Sequence, residues 1–93
     1  MEFQYELGRL WHADAQGVVD AELRFSIIND GATWSIDEIR VAFELRGRGI
    51  ASEILAQLVE RARNARITLK PVCSYARMQF LKRADYQALQ YKD

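Results

Sequence analysis

Leu45-Arg46-Gly47-Arg48-Gly49-Ile50-Ala51, running straight into Ser52-Glu53-Ile54-Leu55-Ala56-Gln57-Leu58-Val59-Glu60, decides how the rest of the chain is read. Upstream, the large apolar residues Ile39, Val41 and Phe43 recur at every second position, the period of a strand. Downstream, Ile50, Ala51, Ile54, Leu55, Leu58, Val59 and Ala62 recur at helical spacing on one stripe. The order is therefore strand, glycine-bearing turn, helix. Two glycines let backbone approach a ligand closely, and the first helical turn leaves amide N–H groups without an internal acceptor. Those amides and the helix dipole suit an anion, above all phosphate, and Arg46 and Arg48 add positive charge beside them. The spacing is not a Walker loop, because no Lys-Ser or Lys-Thr follows the glycines. Nor is it a dinucleotide fingerprint, whose third glycine would fall on Ser52. A purely structural strand-to-helix turn is the competing reading of the same glycines.

Ninety-three residues, 49% of them hydrophobic, give one small domain spanning 1–93. A chain this short buries roughly 60–65% of its unfolded surface, enough for one core. Thirteen Lys and Arg balance thirteen Asp and Glu. That balance gives no bulk attraction to nucleic acid or membrane, and neither is expected as a partner. One cysteine excludes an intramolecular disulfide and fits a reducing compartment. With no long apolar run and no signal-peptide character at residues 1–6, the expectation is a soluble cytoplasmic protein. One histidine, His12, with no cysteine near it offers no support for a metal site.

In chain order, Phe3, Tyr5 and Leu7 alternate as a half-buried strand that runs on past Gly8 through Leu10 and Trp11. Residues 13–17 turn. Val19, Ala21, Leu23, Phe25 and Ile27 then form one face of a second strand, and Asn29-Asp30-Gly31 makes a hairpin turn. The next strand begins with Trp34 and Ile36 and changes phase to Ile39, Val41 and Phe43, so a bulge is expected near Asp37-Glu38. After the helix, with Asn64 as its cap, residues 66–72 read as a strand parallel to 38–44, closed by a right-handed crossover with Pro71 at its end or edge. Ser74 is positioned to cap a second helix from Tyr75 to about Lys82, with Phe80 and Leu81 inward. Tyr86, Leu89 and Tyr91 remain for packing. Trp11, Trp34, Phe25 and Phe43 suit core faces.

This α+β order (antiparallel meander, then strand–turn–helix–parallel strand and a short C-terminal helix), with the R-x-x-G-x-A turn Arg46–Ala51, resembles the GNAT superfamily of N-acetyltransferases. The run Pro71-Val72-Cys73-Ser74-Tyr75, with Phe80 following, is similar to a small single-domain GNAT-like family bearing a P-x-C-[SP]-[YF] motif. The resemblance implies that acetyl-coenzyme A is the co-substrate, without a metal, and that an amine is the acceptor. It implies that the backbone of Arg46, Gly47, Arg48, Gly49, Ile50, Ala51 and Ser52 holds the pyrophosphate. The backbone at Val41 would pair with the pantetheine arm, and Tyr75 and Phe80 would line the channel. Cys73 would sit at the acyl carbon. Many members carry a His-Thr pair and a proline before the glycine turn. Here Glu38, Ile39 and Ala42 stand there, so no histidine base carries over.

Two readings stay open for the key side chains. Cys73 is either a small buried hydrophobe or a thiol favoured by a strand end and a helix start. Glu38 is either a proton acceptor turned inward by the bulge or a solvent-facing carboxylate. Tyr75 either packs on the ligand or protonates its departing thiolate. For the whole chain, the alternatives to an acetyltransferase are a coenzyme A-binding module without efficient turnover and an unrelated α+β domain.

Overall fold

The computed structural model describes residues 1–92. Five strands, β1 (Gln4–Glu6), β2 (Arg9–Ala13), β3 (Val19–Ile28), β4 (Thr33–Val41) and β5 (Thr68–Pro71), form one sheet in the order β1-β2-β3-β4-β5. Every neighbouring pair is antiparallel except β4 and β5, which run parallel. Helix α1 (Ile50–Ala65) makes the crossover between them; α2 (Ser74–Lys82) and α3 (Ala84–Gln87) follow.

The expected first strand is two. Gly8, at φ +101°, lets the chain reverse between Glu6 and Arg9, and Leu7 is left exposed in the turn. Register then sorts the side chains. Leu10 opposes Leu23, and Phe25 opposes Ile36, all buried with Ile54, Leu55, Leu58, Val59 and Ala62 of α1 in one core. The helical stripe is thus the half of the core that the sheet lacks.

The phase change in β4 is the expected bulge. Arg24 pairs with Glu38 and Phe25 with Ile36, leaving Asp37 as the extra residue. Because of it, Ile39 and Val41 continue the apolar face that Trp34 and Ile36 began. The strand stops at Val41, however, and Phe43 lies in a short 3₁₀ turn (Phe43–Leu45), 80% exposed rather than in the core. Trp11 also leaves the core. It sits half-buried with its ring 4.0 Å from the Arg9 guanidinium.

The parallel partner of β5 is the first half of β4, not residues 38–44: Thr33 pairs with Thr68 and Ile36 with Pro71. Pro71, lacking an N–H, ends the ladder as expected. Helix α1 ends on Arg66 in the left-handed region (φ 59°), its amide bonded to the Ala62 and Arg63 carbonyls; Asn64 is inside the helix and does not cap it. Phe80 is buried against Tyr86, with ring centroids 5.4 Å apart, while Leu81 points out at 83% exposure. The tail adds a bridge to β5, where Tyr91 N–H donates to Leu69 C=O. Among the described residues no helix is long and apolar enough to cross a membrane.

Candidate active site

The parallel pair splits where the bulge lies. The Ile36 carbonyl accepts both the Val72 amide (3.1 Å) and the Cys73 amide (3.0 Å), which turns the chain away from β4. Beyond that point β4 continues without β5. The Ala42 amide donates to Asp20 C=O on β3 at 2.8 Å. By strand alternation, Val41 and Ile39 therefore direct their own N–H and C=O groups to the opposite edge, where β5 has left. The result is a wedge with one wall of unpaired backbone. Among the described residues the Val41 carbonyl accepts from Arg46 Nε, at 3.3 Å, and the Arg46 guanidinium lies 5.6 Å from the Phe43 ring.

At the wide end of the wedge stands the start of α1. Gly47 (φ +81°) and Gly49 (φ +77°) hold conformations that side-chain-bearing residues rarely adopt, and a Cβ placed on Gly47 would meet nothing within 4 Å. No side chain caps the helix, and the first helical amide with an acceptor is Glu53, bonded to Gly49 C=O. Among the described residues the amides of Ile50, Ala51 and Ser52 consequently have no acceptor, the arrangement that binds phosphate oxygens. A cleft of about 240 Å³ is lined there by Val41, Leu45, Arg46, Gly47, Gly49, Ile50, Ala51, Ser52 and Tyr75. Eight of these nine are among the positions expected from the sequence; Arg48 is exposed on the turn and does not line the cleft.

Cys73 is half-buried, two residues before Tyr75. It is Cys73, not Ser74, that caps α2: its Sγ accepts the Ala76 amide at 3.4 Å. Phe80 is only 2% exposed and belongs to the core, not to the cleft wall. Glu38 is exposed and opposes Arg24, so the bulge does not turn it into the interior. Asp37, which the sequence did not single out, is held at the bulge by the hydroxyls of Ser35 (2.7 Å) and Ser26.

A second polar centre was also hidden in the sequence. Glu22, on the nominally wet side of β3, is 3% exposed and surrounded by three arginines. Its Oε1 lies 2.8 Å from Arg40 Nη2 and 3.4 Å from Arg24 Nε, and its Oε2 lies 2.8 Å from Arg9 Nε. The Arg9 contact has ion-pair proximity without hydrogen-bond alignment. Burial pushes the carboxyl up, but the Arg40 hydrogen bond and the Arg9 and Arg24 charges outweigh it and hold it below its ordinary value. Only the register could reveal this cluster, since Arg9 and Arg40 come to Glu22 and Arg24 from other strands. Among the described residues no three His, Cys, Asp or Glu side chains come together as a metal site.

A parallel pair that parts beside an uncapped helix start defines an α+β domain with an anion-binding cleft at a strand gap. The model of the GCN5-related N-acetyl-transferase family matches residues 9–89, so the chain belongs to that family and is an N-acetyltransferase. A GCN5-like protein from Staphylococcus aureus has the same fold (TM-score 0.79, 24% identity, covering 99% of this chain and 89% of that one). So does a GNAT family N-acetyltransferase from Escherichia coli solved with CoA (TM-score 0.62, 18% identity, 74% of this chain and 43% of that one). N-acetylglutamate synthase from Neisseria gonorrhoeae, complexed with coenzyme A and N-acetyl-glutamate, is likewise similar (TM-score 0.63, 14% identity), and this chain spans only 18% of it. Among curated proteins none matches this sequence.

Proposed function

We propose that this chain transfers the acetyl group of acetyl-coenzyme A to a primary amine, and that Pro71-Val72-Cys73-Ser74-Tyr75 marks it as one of the small single-domain GNAT-like enzymes. The observation that carries the reading is the wedge: a Val41 edge without a β5 partner on one wall and, among the described residues, amides of Ile50, Ala51 and Ser52 without acceptors at its end. The pyrophosphate fits the amides from Gly47 to Ser52, with Arg46 and Arg48 supplying charge. The pantetheine amides fit the Val41 edge once Arg46 releases its carbonyl, and Tyr75 packs beside them. The acyl carbon then lies toward Cys73.

The neutral amine attacks the thioester carbonyl, a C–N bond forms, the C–S bond breaks, and the coenzyme leaves as thiolate to be protonated. Glu38 does not turn into the interior; solvent-facing beside the point where β4 and β5 part, it is the carboxylate we assign to take, at the mouth of the wedge, the proton that the ammonium must lose. In a two-step route the Cys73 sulfur attacks the thioester carbonyl: its S–C bond forms as the coenzyme's C–S bond breaks and the thiol proton passes to the coenzyme thiolate. The neutral amine then attacks the acyl-cysteine and releases the Cys73 sulfur, to which the Ala76 amide donates. The cytoplasmic setting expected from the lone cysteine belongs to the same proposal.

Acetyl-coenzyme A at a hundred times its Kd is expected to stabilise the fold by about 2.7 kcal/mol, read as a thermal shift. A panel of amines then separates a turning-over enzyme from a coenzyme-binding module. No thermal shift would end the proposal, and a shift without acetylation of any amine would leave only the module.

A further inference from the structure

The face of the sheet turned away from α1 carries a charge pattern that the reading above does not use. The inference rests on that reading and deepens it by naming the acceptor class. Register aligns Arg9 with Arg24, Arg24 with Glu38, and Glu22 with Arg40, so all five side chains share this face. Glu22 is the buried hub. Three guanidiniums converge on its single carboxylate, and Glu6 reaches only Arg9, at 3.4 Å.

Arg24 and Arg40 are 59% and 61% exposed, and each touches Glu22 through one nitrogen. Their remaining N–H donors point to solvent with no other partner among the described residues. The hub thus holds two half-free forks that would otherwise repel each other, the geometry in which Arg recognises carboxylate. One step along β4, Glu38 is exposed, with no ion-pair partner among the described residues, next to the bulge residue Asp37 where β4 parts from β5. Asp37 itself is engaged by Ser26 and Ser35, and the exposed Lys70, which pairs with Ser35 in register, adds a further positive charge nearby. Glu38 and Arg40 stand two strand residues apart, about 7 Å.

We propose that the acceptor is an amine carrying a carboxylate close by: its ammonium meets Glu38 at the wedge, and its carboxylate docks on Arg24 and Arg40. Glu22 is a positioning residue that aims the two forks.

The test compares matched acceptors with acetyl-coenzyme A. One pair is a lysine peptide flanked by Glu or by Gln, the other β-alanine or its amide. The wild type is expected to favour the carboxylate member of at least one pair about tenfold in kcat/KM, through KM; which pair responds tells peptide from free aminocarboxylate. Arg24→Gln and Arg40→Gln should each reduce that ratio by about fivefold. Arg40→Glu should reverse it, and Arg40→Lys should restore part of it. Equal kcat/KM within both pairs, or a preference untouched in the double Gln variant, overturns the inference. Should no amine be acetylated although acetyl-coenzyme A still stabilises the fold, the failure lies with the proposed function. Titrating the same acceptors by NMR then decides docking: carboxylate-dependent shifts at Arg24 and Arg40 support the inference, and their absence ends it.

Discussion

Single residues carry the chemistry through backbone geometry as much as through side chains. At Gly49 the left-handed conformation and the bare Cα both serve the anion cradle, and an added Cβ would lie 3.8 Å from Ser52 Oγ. Gly49→Ala is therefore expected to cost about 1 kcal/mol from the positive φ, measured by urea unfolding. It should also weaken acetyl-coenzyme A binding, measured calorimetrically. Cys73 is used structurally as an N-cap, with sulfur as a long acceptor at 3.4 Å. A hydroxyl is a better cap, so Cys73→Ser should stabilise the protein by about 0.5 kcal/mol while removing any mass gain from an acyl-cysteine. Amine acetylation that survives Cys73→Ser would make the acyl-cysteine step dispensable, leaving direct attack as the route.

Among the elements, α1 does most to position the site. Its buried stripe closes the core over β2–β5 and so sets its N-terminus against the end of β4. Its other end is less favourable, because Arg66 occupies a conformation that glycine adopts without strain. Arg66→Gly should raise stability by about 0.5–1 kcal/mol, read as a higher melting temperature with no change in activity. The second decisive element is β4, whose one extra residue at Asp37 keeps Ile39 and Val41 facing the core while their backbone faces the gap. Deleting Asp37 would remove the bulge while leaving residues 38–41 on their present faces, so the fold should persist; straightening β4 where it parts from β5 is expected to weaken acetyl-coenzyme A binding, measured calorimetrically.

At the scale of the molecule, the ionic network around Glu22 ties β2, β3 and β4 together on the side that has no α1. Its carboxyl is held below the ordinary value of 4.5 in the folded state, so the unfolded chain takes up the proton first as pH falls. The stability it supplies is fully present above that ordinary value and drains away as pH drops through the lower folded one. Urea unfolding at neutral pH and near pH 3 should show that loss. Glu22→Gln should flatten this part of the acid dependence and cost about 1–3 kcal/mol at neutral pH, by leaving three arginines around a neutral amide.

Much of this was written in local pattern. Alternation located β3 and the bulge, helical spacing located α1, and the glycines with Arg46 located the anion cradle, because periodicity and positive φ are properties of a few neighbouring residues. The register of β5 against β4, the exposure of Phe43 and Leu81, the cap at Cys73 and the convergence of Arg9, Arg24 and Arg40 on Glu22 were decided only by the fold. Each depends on which distant segment lies opposite. A polar residue on an alternating strand looks the same in sequence whether water or three guanidiniums await it.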